Sequence, residues 1–210
     1  ILSVSAHYAA GAHIGAHPPE TEFGNLAPFA RRYAAYLWDP TMRKPVAPET
    51  LVRFSSPPPF AHWQRTVRIR RTGDDHYQLV LHLLNLPGDY RIHERYKLSA
   101  PSISDKIPVS FVLPADADVN AIWPLTPFEK PWGRELSWQA TGATTSIQLP
   151  PVRFWQVLVL DFTSAEGIPT EATHQEKTAS YIRDWHVLGP FPGSRELTGF
   201  ETLGPVALPV

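Results

Sequence analysis

Three histidines fall within one short stretch, AHYAAGAHIGAH, at residues 6–17. A neutral imidazole nitrogen is a good zinc ligand, and the spacing of His13 and His17 suits one side of a helix. Gly11, Gly15 and Pro18 oppose that helix, because glycine and proline are the poorest helix formers. No carboxylate stands at a metal-motif spacing and H-E-x-x-H is missing. We therefore expect neither a metal nor a cofactor, and His7, His13 and His17 read as part of a glycine-rich junction between strand and loop.

Carboxylate pairs are the next candidates. Asp74 with Asp75, and Asp116 with Asp118, lie between alternating segments, where Asp favours turn geometry. Glycoside hydrolysis needs two carboxyls roughly 5–9.5 Å apart across a sugar, and no pair here is marked for that work. G-x-S-x-G, P-loop and G-x-G-x-x-G patterns are missing as well. Tryptophans offer a different chemistry, since their flat faces stack on sugar rings. Trp138 shares a face with Leu136, and Trp155 with Val157 and Val159, which points both to a core. Trp123 and Trp132 flank the loop PLTPFEKP and are freer, so they are the candidate sugar-stacking residues.

The elements that would position these residues change character near residue 60. Before it, NLAPFARRYAAYLWDP (25–40) predicts a helix capped by Asn25 and ended by Pro40, with Leu26, Phe29, Tyr33 and Leu37 on one face. PETLVRF (48–54) adds a helical turn, and SSPPPF (55–60) is a stiff connector. After it the period becomes two. TVRIRR (66–71) and HYQLVLHLLNL (76–86) flank the turn TGDD and predict a hairpin. Segments 107–114, 118–125, 133–140, 144–151 and 153–162 follow as further strands, the last apolar on both faces and so central.

Composition narrows the classes. The 210 residues are 43% hydrophobic and 19% charged, ordinary values for a packed protein. A net charge of −1 gives no footprint for nucleic acid or a membrane surface, and no apolar run is long enough to span one. Cysteine is absent, which removes thiolate chemistry and disulfides. The 23 prolines suit many short strands better than long helices.

The order AAGAHIGAH, a helix ending YLWDP, PETLVRF and a strand ending HLLNL resembles the C-terminal part of glycoside hydrolase family 66, the dextranases and cycloisomaltooligosaccharide glucanotransferases. The matching residues are Gly11, His13, Gly15, Tyr36, Pro40, His82, Leu83, Asn85 and Leu86, with Ala12 standing where a second glycine is usual. The resemblance implies that residues 6–17 close a (β/α)8 barrel, where His13 or His17 would line a sugar subsite. It also implies a retaining mechanism whose two carboxyls lie on barrel strands outside this chain. DWHVLGPFPG, from residue 184, resembles the opening strand of a jelly-roll module.

The expected fold is mostly β, an antiparallel β-sandwich preceded by a short α/β remnant like the end of a (β/α)8 barrel. The expected organisation is a barrel-end remnant at 1–60, the sandwich at 61–162, a linker at 163–183 and the start of a further β module at 184–210. The expected role is the non-catalytic C-terminal portion of a secreted, periplasmic or cell-surface bacterial enzyme on α-glucan. It would stabilise the barrel or position substrate, with no catalytic residue of its own. The alternative is a stand-alone carbohydrate-binding or self-assembling β module. The expected partners are a polysaccharide or oligosaccharide, with the N-terminal barrel segment or other copies of the chain; nucleic acid and membrane are not among them.

Overall fold

The computed structural model describes residues 25–58, 60, 62–85 and 105–172. The chain divides into two units, Ile1–Glu171 and Ala172–Val210, and every element below belongs to the first. The stretch 6–17 with His7, His13 and His17, and the expected strand from 184, lie outside the described residues. Three short helices come first: α1 (Leu26–Arg32), α2 (Ala34–Leu37) and α3 (Pro48–Leu51). They are followed by β1 (Val52–Phe54), a 3-10 turn (Trp63–Arg65), β2 (Val67–Arg71) and β3 (His76–Leu84). The remaining strands are β4 (Ile107–Val112), β5 (Asp118–Leu125), β6 (Gln139–Thr141), β7 (Thr144–Leu149) and β8 (Trp155–Thr163).

The strands form two antiparallel sheets, ordered β1-β4-β7-β6 and β2-β3-β8-β5, and the protein is a mostly β sandwich. Alternation explains which residues meet between the sheets. Leu79, Leu81 and Leu83 of β3 and Leu158, Leu160 and Phe162 of β8 face Val109 and Phe111 of β4 and Ile147 and Leu149 of β7. The expected hairpin of β2 and β3 forms, with Val67 opposite Leu81 and Ile69 opposite Leu79. β1 lies before the proline run 57–59 and pairs with β4 in the first sheet.

A second apolar layer covers the outer face of the second sheet. There Val80, Leu84, Trp155, Val157 and Val159 pack under Leu26, Phe29, Ala30 and Leu37 of α1 and α2. β8 is therefore apolar on both faces from Val157 to Leu160, as the residues of 153–162 predict, whereas the outer face of β3 alternates Val80 and Leu84 with His76, Gln78 and His82. Phe29 is fully buried and meets the Trp155 ring edge-on at 5.6 Å. The helical segment is two helices where one was expected. Tyr33 leaves the helical basin at φ −111°, ψ 23°, and the ladder is rejoined by a tighter step, with Tyr36 N–H donating to the Tyr33 carbonyl at 2.9 Å. Asn25 occupies the cap position, yet its side chain makes no capping hydrogen bond; its carbonyl accepts from Phe29 N–H at 3.0 Å.

Both edges of the second sheet are flanked by non-strand backbone. Arg43 exchanges two backbone hydrogen bonds with Ile69 of β2, and Pro45 lies opposite Thr170. Lys44 and Glu171 close that strap with an ion pair at 2.9 Å. On the other edge Leu136 N–H donates to the Ile122 carbonyl, and Thr126 N–H to that of Trp132. The strand expected at 133–140 is thus shorter: Gly133 bridges Leu125, and only β6 at the far end is a strand. A Cβ at Gly133 would lie 2.5 Å from Leu125 Cδ2, so any larger residue there has to push that methyl aside. Among the described residues no helix is long and apolar enough to cross a membrane.

The helix layer should behave as core. Phe29→Ala should cost about 3–5 kcal/mol, read as a lower midpoint in urea unfolding. A loss under about 1 kcal/mol would mean that the helices are a loosely held cover.

Candidate functional site

The outer face of the second sheet is apolar at its Leu84/Trp155 end and polar at its His76/Thr163 end. Asp161 is the one acid in WQVLVLDFT and is 8% exposed. A carboxylate taken out of water needs donors, and three neighbouring side chains supply them. Gln78, directly opposite on β3, donates Nε2–H to Oδ2 at 2.8 Å. His76 Nε2 lies 2.7 Å from Oδ1, and Asn120 Nδ2–H donates to the same oxygen at 3.0 Å. Asn120 is the residue skipped where the register of β5 slips between Val119 and Ala121. A bulge re-aims a side chain in this way, and here the amide turns onto Asp161. Burial opposes the charge on Asp161, but the hydrogen bonds from Gln78, His76 and Asn120 outweigh it and hold the carboxyl below its usual range.

The network continues across the sheet. Gln78 Oε1 accepts from Arg70 Nη1 of β2 at 2.9 Å, and Arg70 Nε donates to Asp39, just beyond α2. Asp39 Oδ1 in turn accepts from Thr41 N and Oγ1 at 2.8 and 2.6 Å. One polar belt thus ties all four strands of the second sheet to the end of the helical layer.

A second device sits under the helices. His82 is 4% exposed, and its ring stacks on Trp155 with centroids 6.0 Å apart. Trp155 Nε1–H can only donate, and it points at His82 Nδ1 at 3.3 Å. Nδ1 is therefore the acceptor and the proton resides on Nε2, which donates to the Tyr36 carbonyl at 3.2 Å. That carbonyl is in the last turn of α2, where helices leave acceptors without partners. Burial pushes the His82 pKa down to about 4, so the ring is neutral near pH 7.

Trp123 lies on β5 opposite Val159, on the outer face of the second sheet, partly buried against the helix-covered cluster. Trp132 is partly buried against the same cluster, edge-on to Phe29 at 5.9 Å, with Lys130 Nζ 5.6 Å from its ring centroid. Its Nε1 is buried without a hydrogen-bond partner. Trp155 is core as expected, under the helices; Trp138 and Leu136 pack at the margin of the layer between the sheets. Asp116 works within a turn: Oδ1 accepts from Ser164 Oγ at 2.7 Å, and Oδ2 from the Ala165 and Glu166 amides at 2.6 and 3.2 Å. The motif residues of HLLN hold the fold together, because Leu83 fills the core and Asn85 Nδ2 donates to the Val152 and Arg153 carbonyls. His13 and His17 lie outside the described residues.

Chemically, the belt is a hydrogen-bonding surface. Asp161 is held ionised, the opposite of a general acid tuned towards neutrality. Among the described residues no group of three or more His, Asp or Glu side chains is arranged to hold a metal ion.

No protein-family model and no curated protein matches the chain. Among solved structures, the chain is similar to a cycloisomaltooligosaccharide glucanotransferase of Paenibacillus sp. complexed with cycloisomaltoheptaose. The TM-score is 0.57 at 14% identity, covering 75% of this chain and 26% of that enzyme. The chain thus spans about a quarter of the length of its structural relative. An alpha-L-fucosidase isoenzyme 2 from Paenibacillus thiaminolyticus aligns with a TM-score of 0.38 at 15% identity, over 54% of this chain and 16% of its own. At such identity the likeness to the glucanotransferase is one of architecture alone.

His82 makes stability depend on pH in a defined direction. Its folded pKa, about 4, lies below the ordinary value of 6.5. The unfolded chain therefore binds the proton more readily, and stability is lost as pH falls from about 6.5 to about 4. The contribution is roughly 3 kcal/mol across that window. Urea unfolding of wild type and His82→Gln at stepped pH should give curves that differ in slope there. Parallel curves would mean that His82 is not buried neutral.

Proposed function

We propose that this chain is the non-catalytic C-terminal portion of a polysaccharide-processing glycoside hydrolase acting on α-glucan. In this reading the sandwich stabilises a catalytic barrel or positions substrate for it. The observation that carries it is the match of 75% of this chain to 26% of the glucanotransferase, a protein solved with a cyclic oligosaccharide. The composition of the site agrees, since Asp161 and Asp39 are both engaged as hydrogen-bond acceptors. The retaining carboxyl pair of such an enzyme would come from outside this chain.

The partners in this reading are an oligosaccharide or polysaccharide, with the barrel segment or further copies of the chain. His13, His17, Trp123 and Trp132 are its sugar-facing residues. The location is secreted, periplasmic or cell-surface, where polymeric glucan is met.

The test uses the 210-residue chain and dextran. Incubation should release no reducing ends above the protein-free control, while electrophoresis through dextran-containing gels should retard the chain. Reducing ends that co-purify with the chain would overturn the non-catalytic role. Migration indifferent to dextran would remove substrate positioning and leave barrel support.

A further inference from the structure

The polar end of the second sheet has more hydrogen-bonding capacity than its own packing uses. His76 Nε2 and Asn120 Nδ2 both point at Asp161 and lie 3.4 Å from each other. Pinned this way, each side chain turns its other polar atom away from the carboxylate. His76 Nδ1 and Asn120 Oδ1 make no hydrogen bond among the described residues. Both side chains reach solvent: Asn120 is exposed, and the His76 side chain is 45% accessible. A neutral His76 ring that donates Nε2–H to Asp161 offers Nδ1 as an acceptor, a second acceptor with Asn120 Oδ1 at the bulge.

An aromatic side chain lies further along the same face, at the margin of the helix-covered cluster. Trp123 is opposite Val159, two residues from Asp161 on the same face of β8. Diagonal neighbours of this kind are roughly 7–8 Å apart, and His76 lies one pair further along, opposite Thr163, so a short oligosaccharide rather than a single ring spans the indole and both acceptors. Adjacent acceptors suit the paired hydroxyl donors of neighbouring sugar carbons, and a partly accessible indole suits the C–H face of the ring.

We infer that the His76 end of the second sheet is a saccharide-contact site, with Trp123 as stacking platform and Asn120 and His76 as acceptors for vicinal hydroxyls. Asp161 is a positioning residue there, acting through the two side chains it orients. The ligand class is a gluco-configured pyranoside, and the inference rests on the carbohydrate reading above. A purely structural belt would need only to satisfy Asp161. Such a belt uses the Asn120 amide and His76 Nε2 as donors and leaves the outward-facing Asn120 Oδ1 and His76 Nδ1 without a role.

The experiment is a two-dimensional amide NMR titration of the full chain with isomaltotriose, repeated for Asn120→Ala, His76→Ala and Trp123→Leu. The expected result is movement of the Asn120 side-chain amide and the Trp123 indole N–H. Asn120→Ala should weaken binding about tenfold, the scale of one lost hydrogen bond. Asn120 is exposed, so that variant should retain a native spectrum even if Trp123→Leu does not. Perturbations confined to the surroundings of Trp132, or unchanged affinity in both Asn120→Ala and His76→Ala, would overturn this site while leaving carbohydrate binding intact. No perturbation by isomaltotriose, together with dextran-indifferent migration, would overturn the site and the positioning role together.

Discussion

The pairing of β3 with β8 is the constraint on which the rest of the protein depends. Nine residue pairs, from His76 opposite Thr163 to Leu84 opposite Trp155, place two long strands at the centre of one sheet. Their inward faces form the layer between the sheets, and most of their outward faces lie under α1 and α2. An antiparallel sheet commonly leaves one face to water. Here that face is apolar for more than half its length, so the helical segment is required to close it. The fold is therefore a three-layer packing at one end and a two-layer packing at the other.

Where the layers change, polar groups must be handled without loss. At the covered end, His82 is held neutral between an indole donor and a helix-terminal carbonyl, so one buried ring serves both the sheet and α2. At the open end, Asp161 is held ionised by three side chains from β3 and β5. Desolvation acts on both groups, but with opposite outcomes. An imidazole escapes the cost by shedding its proton, whereas this carboxylate gathers enough donors to keep its charge. That difference leaves the open end able to present further polar groups to a ligand.

Much of this was legible in the residues, and for local reasons. The period of two in 66–71 and 76–86, with TGDD between, defines a hairpin without outside information. The positions 26, 29, 33 and 37 mark one helix face: Leu26, Phe29 and Leu37 are buried, with Ala30 beside them, and Tyr33 is partly so. The partition of strands between two sheets was not legible, because it arises from pairings between distant segments. The bulge at Asn120 was hidden for the same reason: it exists only relative to β8. Asp161 carried a signal, a single acid inside an otherwise apolar strand, which marks a buried charge that needs partners. Trp123 could be named in advance, but its neighbours could not, since His76, Asn120 and Asp161 come from three different strands. His82 read as part of a family-like motif, whereas its tautomer and its carbonyl partner emerge only when α2 lies over the sheet.

The flanking backbone on both edges of the second sheet governs how this protein can meet other chains. An exposed edge strand is a template for further pairing, and proteins blunt it with short segments and irregular backbone. Here the strap at 43–45 shields β2 through Arg43, and the segment 132–136 shields β5 through Leu136. Lateral growth of the better-buried sheet is thereby blocked from either side. In the first sheet the edges are β1 and β6, each three residues long, too short to seat a stable added strand on backbone bonding alone. Among the described residues, contact with another module is then left to side chains on the faces of the sandwich, where surface chemistry and not strand pairing selects the partner.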